Sequence, residues 1–185
     1  MNYLGIDSDE LTKLGAIHTA IEITQQPELW LKVWDEVNLV KPSLSQFLNN
    51  ALSHSKRIIL TGAGTSAFIG LSLRGVFQKT TGIPTEALAT TDIVSHPNDY
   101  FLEKTPTLMI SFARSGNSPE SVAAIELADE ICETCYHLII TCNKEGNLAH
   151  YDSASDKLVI TLPKESNDIS LAMTSSYSAM LLTGL

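Results

Sequence analysis

Four short, continuous runs of apolar residues constrain the fold more than any other feature of this sequence. They are Ile58–Leu60, Leu108–Ile110, Leu138–Ile140 and Leu158–Ile160, and most of their residues are β-branched or leucine. Runs of this length predict strands that are covered on both faces, as in a parallel sheet. A weaker strand is expected at residues 83–89, and helical patterns separate the runs. The alternation predicts a doubly wound α/β sandwich with three layers, similar to flavodoxin or Rossmann folds.

The first forty residues read as a helical extension that precedes the α/β domain, which we place at residues 41–185. Leu11, Leu14, Ile17 and Ile21 recur at helical spacing, and Pro27 marks the start of a further helix. Lys41-Pro42 is expected to interrupt that helix. Because this extension is apolar, we expect it to pack against another part of the protein or against another subunit. The pattern leaves open whether this is its own chain or another subunit.

Composition excludes several classes of protein. The chain has 185 residues and a formal net charge of −9, which makes broad electrostatic binding to nucleic acid or to an anionic membrane unfavourable. Its 44% hydrophobic and 18% charged residues are typical of a folded core rather than of disorder. We see no secretory signal and no long apolar span, so we expect a cytoplasmic protein.

The cysteines and histidines indicate neither a metal site nor a cofactor. Cys132 and Cys135 have the spacing of a redox pair, but they fall late in a predicted helix, so we interpret them as structural. The third cysteine, Cys142, leaves an odd number for a disulfide framework. The five histidines are scattered, and none has a second ligand at helical spacing.

The first turn that could carry chemistry is Thr61–Ala67, between the first strand and the first helix of the α/β domain. Its two glycines let the backbone turn tightly, and Thr65 or Ser66 could cap the helix and leave N–H groups aimed at an anion. The turn also matches the dinucleotide fingerprint GxGxxG/A. The acidic residue that this fingerprint requires would be Glu86, which lies at about the right distance but towards the wrong end of its strand.

The second turn is Ser111–Glu120, which follows the next strong strand. Ser118 is predicted to cap the following helix, with Pro119 at its first position. The hydroxyls of Ser115 and Ser118, together with backbone N–H groups around Gly116, would form a cup for a phosphate monoester. The same residues would also be found in a helix that is merely well capped.

The two turns together resemble the sugar isomerase (SIS) domain, a fold that binds phosphosugars. Its paired signatures are a Gly-Thr-Ser turn and a Ser-Gly-x-Ser/Thr turn, which GAGTSA and SFARSGNSPES match here. Residues 170–177 are similar to the Ser/Thr-rich helix start that closes the site in the isomerase half of glucosamine-6-phosphate synthase. Residues 18–30 resemble the N-terminal segment of the tagatose-6-phosphate ketose/aldose isomerase family of N-acetylgalactosamine catabolism, and that likeness runs along the whole chain.

The resemblance implies roles for three groups of residues. Gly64, Thr65 and Ser66 would contact the sugar. The phosphate would be held by Arg114, Ser115, Gly116, Asn117 and Ser118. Thr174 and Ser175 would close the site. Two residues depart from the family pattern: Ala113 stands where many relatives have a hydroxyl, and Met173 replaces a serine.

The same resemblance implies an aldose–ketose isomerase or an amino-sugar-phosphate deaminase, which binds a small sugar phosphate and forms a homo-oligomer. In two-domain relatives the general base is a glutamate of a second SIS domain, and those relatives are roughly twice as long, so we expect this chain to be half of such an enzyme. Glu165 and Asp168 are the nearest acidic residues, but the sequence does not identify either as the base.

Two other functions stay open at this point. SIS domains also act as non-catalytic phosphosugar sensors in transcription factors. Residues 1–54 contain only three basic groups, Lys13, Lys32 and Lys41, which argues against a DNA-binding segment. The third possibility is a dinucleotide-dependent oxidoreductase, based on the first turn.

Overall fold

A computed structural model describes all 185 residues, and its elements follow one another in the order predicted for an α/β chain. A small antiparallel pair, β1 (Asn2–Tyr3) and β2 (Ile6–Asp7), comes first. The N-terminal helices are α1 (Ser8–Lys13), α2 (Ile17–Thr24) and α3 (Gln26–His54). The strands of the main sheet are β3 (Arg57–Gly62), β4 (Thr85–Ala89), β5 (Thr107–Ala113), β6 (Cys135–Thr141) and β7 (Asp156–Thr161). The later helices are α4 (Thr65–Thr81), α5 (Thr90–Ser95), α6 (Pro97–Tyr100), α7 (Pro119–Ile131), α8 (Asn147–His150) and α9 (Ser175–Thr183), and a 3-10 turn covers Lys164–Ser166.

The main sheet has five parallel strands in the order β4-β3-β5-β6-β7. All four strong apolar runs form strands as predicted, and the weaker expected strand is β4. The order reverses between β3 and β5, because β4 lies on one side of β3 and the later strands lie on the other. In open α/β sheets, ligands bind beyond the carboxyl ends of the strands at such a reversal.

Helices cover both faces of the sheet, which confirms the three-layer prediction. On β3, Ile58 and Leu60 point into a core formed with α3, α4 and α9. Ile59 points the opposite way, into a second core that includes Ile93 of α5 and Ala124 of α7. The three central strands β3, β5 and β6 are buried at every residue, which is why their sequences can be apolar on both faces. No helix is both long enough and apolar enough to cross a membrane.

The N-terminal region packs within the chain through α3. Leu29 and Val33 are fully buried in the first core, whereas Trp34 is 61% exposed. The predicted interruption at Lys41-Pro42 is wrong, because α3 continues through Pro42 without a break. Apolar residues before and after this exposed proline pack on the same core, which offsets its missing hydrogen bond. The domain division at residue 40 stays a prediction, since this helix runs across it.

Candidate functional site

The two predicted turns begin side by side at the reversal point of the sheet. Gly62, the last residue of β3, pairs with Phe112 near the end of β5. A side chain at position 62 would lie 2.9 Å from the carbonyl oxygen of Phe112 and 2.7 Å from Cβ of Ser66. Only glycine therefore allows β3, β5 and the start of α4 to approach so closely.

In the first turn, α4 is capped by Gly64 and not by a hydroxyl. Gly64 has φ +56° and ψ −124°, a conformation that favours glycine. The prediction that Thr65 or Ser66 caps the helix is wrong, because both residues lie inside it and neither makes a capping hydrogen bond. The backbone N–H groups of Ala63 and Gly64 have no acceptor in the protein. This helix start therefore presents unpaired donors.

In the second turn, the helix begins as predicted, with Ser118 as the cap and Pro119 at the first position of α7. The Ser118 hydroxyl makes no capping hydrogen bond, so it stays available to a ligand. Gly116 has φ +66°, and the N–H groups of Ser115, Gly116 and Ser118 have no acceptor in the protein. Unpaired N–H groups at the start of a helix attract anions through both hydrogen bonding and the helix dipole.

A loop that the sequence analysis missed, residues 142–146 between β6 and α8, supports the second turn. The Asn143 side chain donates to the carbonyl oxygen of Ser115 at 2.9 Å, and Leu148 N donates to the carbonyl oxygen of Gly116 at 2.9 Å. Gly146 lies directly against the turn, since an added Cβ would be 2.5 Å from the Ser115 oxygen. With both carbonyl groups held from behind, the N–H groups of the turn stay oriented.

The Arg114 and Asn117 side chains are both hydrogen-bonded to neighbouring segments. Nη1 of Arg114 donates to the carbonyl oxygen of Ser170 at 3.0 Å, which leaves its other N–H groups for a further partner. The Asn117 side-chain oxygen accepts a 3.0 Å hydrogen bond from Asn147 N, at the start of α8. Arg114 can therefore still bind an anion, whereas Asn117 contributes mainly to the shape of the turn.

The start of α9 is occupied by a carboxylate of the chain itself. Asp168 is 6% exposed and accepts hydrogen bonds from the backbone N–H groups of Thr174, Ser175 and Ser176, at 2.8 to 3.1 Å. The Ser175 side chain is fully buried and its hydroxyl donates to the carbonyl oxygen of Glu22 at 2.7 Å. The Thr174 hydroxyl is buried without a partner. Of the two predicted closing residues, only Thr174 keeps its hydroxyl unused.

The other acidic residue near this segment, Glu165, lies at the surface in an ion pair. Its carboxylate is 2.6 Å from the Lys32 ammonium of α3. The hydrogen bond from Lys32 lowers the pKa of Glu165. A carboxylate held in this way is a poor general base, and Asp168 is fully used as a helix cap. The chain's own candidates for the base are therefore both committed to structural contacts.

The acidic residue that a dinucleotide site would need is misplaced. Glu86 is the second residue of β4 and pairs in register with Ile59, so it lies towards the amino end of its strand. Its carboxylate forms an ion pair with Arg57. The carboxyl end of β4, where a ribose would be bound, is Ala89. This geometry argues against the oxidoreductase alternative.

A second polar cluster lies at the amino ends of β6 and β7, away from the two turns. Asp129 of α7 accepts hydrogen bonds from His137 at 2.9 Å and from the Tyr151, Ser153 and Ser155 hydroxyls at 2.7 to 3.2 Å. Burial lowers the pKa of His137, and its contact with Asp129 offsets this only in part. Burial by itself would raise the pKa of Asp129, but its hydrogen bonds hold that pKa below the ordinary value. This cluster joins a helix, a strand and a loop.

The cysteines are free thiols and do not belong to a metal site. Cys132 follows the last residue of α7 instead of lying within it, and Cys135 is the first residue of β6. All three cysteines are buried thiols. No three histidine, cysteine, aspartate or glutamate residues come together in a way that could hold a metal ion.

Known proteins similar to this chain match it along nearly its whole length. The profile of the SIS domain matches residues 51–185. D-galactosamine-6-phosphate deaminase AgaS from Shewanella sp. (strain ANA-3) is 48% identical, over 97% of this chain and 48% of its own. The solved tagatose-6-phosphate ketose/aldose isomerase from Escherichia coli is 42% identical with a TM-score of 0.84, over 91% of this chain and 46% of its own. A candidate isomerase of the same kind from Clostridium novyi NT reaches a TM-score of 0.94 at 44% identity, over 99% of this chain and 47% of its own. This chain spans about half the length of each relative.

Proposed function

Since the chain belongs to the SIS domain family, we propose that it binds the phosphate group of a sugar phosphate at its second turn. The observation that carries the proposal is the set of unpaired N–H groups of Ser115, Gly116 and Ser118, next to the unused hydroxyl of Ser118. Together they offer four neutral donors within four consecutive residues of one turn, which suits the three terminal oxygens of a phosphate monoester. Arg114 adds a positive charge at the edge of the same turn.

We further propose that the sugar lies towards the first turn, next to Gly64, Thr65 and Ser66, and that Thr174 closes the site. The two turns begin at neighbouring register positions, so one ligand can span them. We leave Ser175 out of the ligand set, because its hydroxyl already donates to Glu22 and its side chain is fully buried. We assign Asn117 to shaping the turn.

The complete enzyme is, in this proposal, a deaminase or an aldose–ketose isomerase that acts on a hexose 6-phosphate, in the cytoplasm and as a homo-oligomer. The named relatives act on galactosamine 6-phosphate or tagatose 6-phosphate. Both reactions transfer a proton between C1 and C2 of the open-chain sugar, at the far end of the molecule from the phosphate. Binding the phosphate here would hold those carbons in a fixed position relative to a general base. The two acidic candidates of this chain are engaged elsewhere, so the base would come from outside these residues.

Equilibrium binding of this chain to galactosamine 6-phosphate, measured by calorimetry, tests the proposal. We expect saturable binding, and about tenfold or greater weakening in Ser118→Ala, because hydrogen bonds to a charged group are worth about 1.5–3 kcal/mol. Ser53→Ala is the matched control, since Ser53 lies on the exposed face of α3 and should leave the affinity unchanged. Equal affinity for galactosamine without its phosphate would contradict the proposal.

A further inference from the structure

Glu22 of α2 is a buried carboxylate in the N-terminal region, outside the layers that carry the two turns. It is 5% exposed, which is rare for glutamate unless its charge is compensated. It has no lysine or arginine partner. Its carboxylate instead accepts hydrogen bonds from Ile169 N at 2.6 Å, from Ser170 N at 3.0 Å and from the Ser170 hydroxyl. Both oxygens of the Glu22 carboxylate thus bind two consecutive residues, Ile169 and Ser170, of the loop before α9.

The same loop contacts the second turn. The N–H group and the hydroxyl of Ser170, which belongs to this loop, both donate to Glu22. The carbonyl oxygen of Ser170 accepts the hydrogen bond from Arg114 Nη1. Asp168 connects the loop to the start of α9 by accepting a hydrogen bond from Ser175 N. The Ser175 hydroxyl donates to the main-chain oxygen of Glu22 and so connects the same region to α2. The path from Glu22 through Ser170 to Arg114 therefore consists of direct hydrogen bonds.

We infer that Glu22 is a positioning residue that fixes Arg114 for the phosphate through Ser170; this inference rests on the proposed function. A guanidinium group is planar and rigid, so one fixed N–H sets the direction of all its remaining donors. Without Glu22, Ser170 loses two hydrogen bonds and Ile169 loses one, so the Ser170 carbonyl group no longer has a fixed direction. Arg114 then samples several rotamers, and only a fraction of them present its free N–H groups to the phosphate. The N-terminal region is in this way part of the ligand site without touching the ligand.

A double-mutant cycle tests the inference by calorimetry with galactosamine 6-phosphate. We expect Arg114→Ala and Glu22→Ala each to weaken binding about tenfold, and the double variant to bind no more weakly than Arg114→Ala alone. Glu22→Gln keeps an acceptor for Ile169 N and Ser170 N and should stay within about threefold of the wild type. Glu10→Ala, which removes an exposed carboxylate from α1, is the charge control. Full additivity of Glu22→Ala and Arg114→Ala, or an unchanged affinity in Glu22→Ala, would overturn the inference.

Two further measurements keep the test decisive. If Glu22→Ala does not fold, Ser170→Ala replaces it in the test, because it removes one hydrogen bond to Glu22 and keeps the carbonyl group that binds Arg114. We expect Ser170→Ala to weaken the binding of galactosamine 6-phosphate about threefold, and to have no such effect when Arg114 is already replaced by alanine. The second measurement needs no ligand. The NMR signals of the Arg114 guanidinium should report restricted rotation in the wild type and in Glu22→Gln, which keeps the backbone acceptors, and faster rotation in Ser170→Ala. If the wild type binds no sugar phosphate, the proposed function fails, and the Arg114 signals still decide whether Glu22 orders this side chain. Identical signals in all variants would refute the positioning role.

Discussion

Replacing Gly146 with alanine tests whether the β6–α8 loop holds the proposed phosphate-binding turn in place. Gly146 has φ −70° and ψ 146°, which any residue can adopt, so the substitution adds a methyl group without backbone strain. That methyl carbon would lie 2.5 Å from the carbonyl oxygen of Ser115 and 3.0 Å from Cα of Gly116. Non-bonded heavy atoms pack best at about 3.5–4.0 Å, so the loop and the turn must separate by about 1 Å.

The expected cost follows from that separation. Adding a methyl group to a tightly packed contact destabilises a protein by about 1–3 kcal/mol. For a chain of this size, each kcal/mol lowers the melting temperature by about 2–4 °C, so we expect a loss of about 2–12 °C. A shift of about 1 Å also stretches a hydrogen bond from the turn beyond its useful range. Each bond lost to a charged phosphate should weaken binding about tenfold or more.

Thermal unfolding by circular dichroism and calorimetric titration with galactosamine 6-phosphate would measure both effects. Gly75→Ala is the matched control, because a Cβ at this exposed position of α4 meets nothing within 4 Å. It should stabilise the helix by about 0.5–1 kcal/mol and leave binding unchanged. A Gly146→Ala variant with wild-type stability would refute the packing argument. A destabilised variant with wild-type affinity would refute the link between this loop and the ligand.

Four further predictions concern other contacts of the structure. Asp168→Ala removes the cap of α9 and should lower the free energy of unfolding by about 2 kcal/mol in urea titrations, with Asp168→Asn losing less. Gly62→Ala puts a methyl group 2.7 Å from Cβ of Ser66 and should reduce both stability and ligand affinity in the same two assays as Gly146→Ala. The pKa of His137 is lowered from 6.5 in the folded chain, so on acidification the imidazole is protonated in the unfolded chain first. The free energy of unfolding should therefore begin to fall as the pH drops below about 6.5. Urea titrations at several pH values should show this fall in the wild type and lose it in His137→Phe. The lowered pKa of Asp129 should add a second loss, below about pH 3.8, that is absent from Asp129→Asn.

The sheet could be predicted from the sequence because its signal is local. A strand that is buried on both faces has to be apolar over most of its length, and the central strands β3, β5 and β6 show this directly. The edge strand β7 contains a similar short apolar run, although it is only partly buried. The helical region was harder, since Pro42 is a strong local signal for an interruption and the helix nevertheless continues. Packing of residues far apart along α3 outweighs the proline, and this packing is not visible in a short window of sequence. For the same reason, the pattern did not show that Leu29 faces the core while Trp34 is largely exposed.

The residues of the candidate site could be predicted from the sequence only where they are neighbours within one turn. Ser118 and Pro119 begin their helix as expected, and the resemblance to the SIS domain is confirmed. The sequence did not indicate Asn143 or Gly146, which support the second turn from a separate loop. It also gave no sign that Glu22 contacts Ser170, which is 148 residues away in the chain. Contacts of this kind depend on the folded topology, which a motif does not contain.

The negative charge of the chain and its proposed anionic ligand are compatible because the donors are local and neutral. Three helices that follow strands of the sheet, α4, α7 and α9, begin with backbone N–H groups that could attract an anion. Asp168 already satisfies the start of α9, whereas α4 and α7 begin at glycine-containing turns in which several N–H groups stay unpaired. A buried carboxylate thus removes one competing site, and the sheet reversal brings the other two together. Selectivity for a small phosphate would then come from the unpaired N–H groups at the starts of α4 and α7. A net charge of −9 would still disfavour the binding of large polyanions.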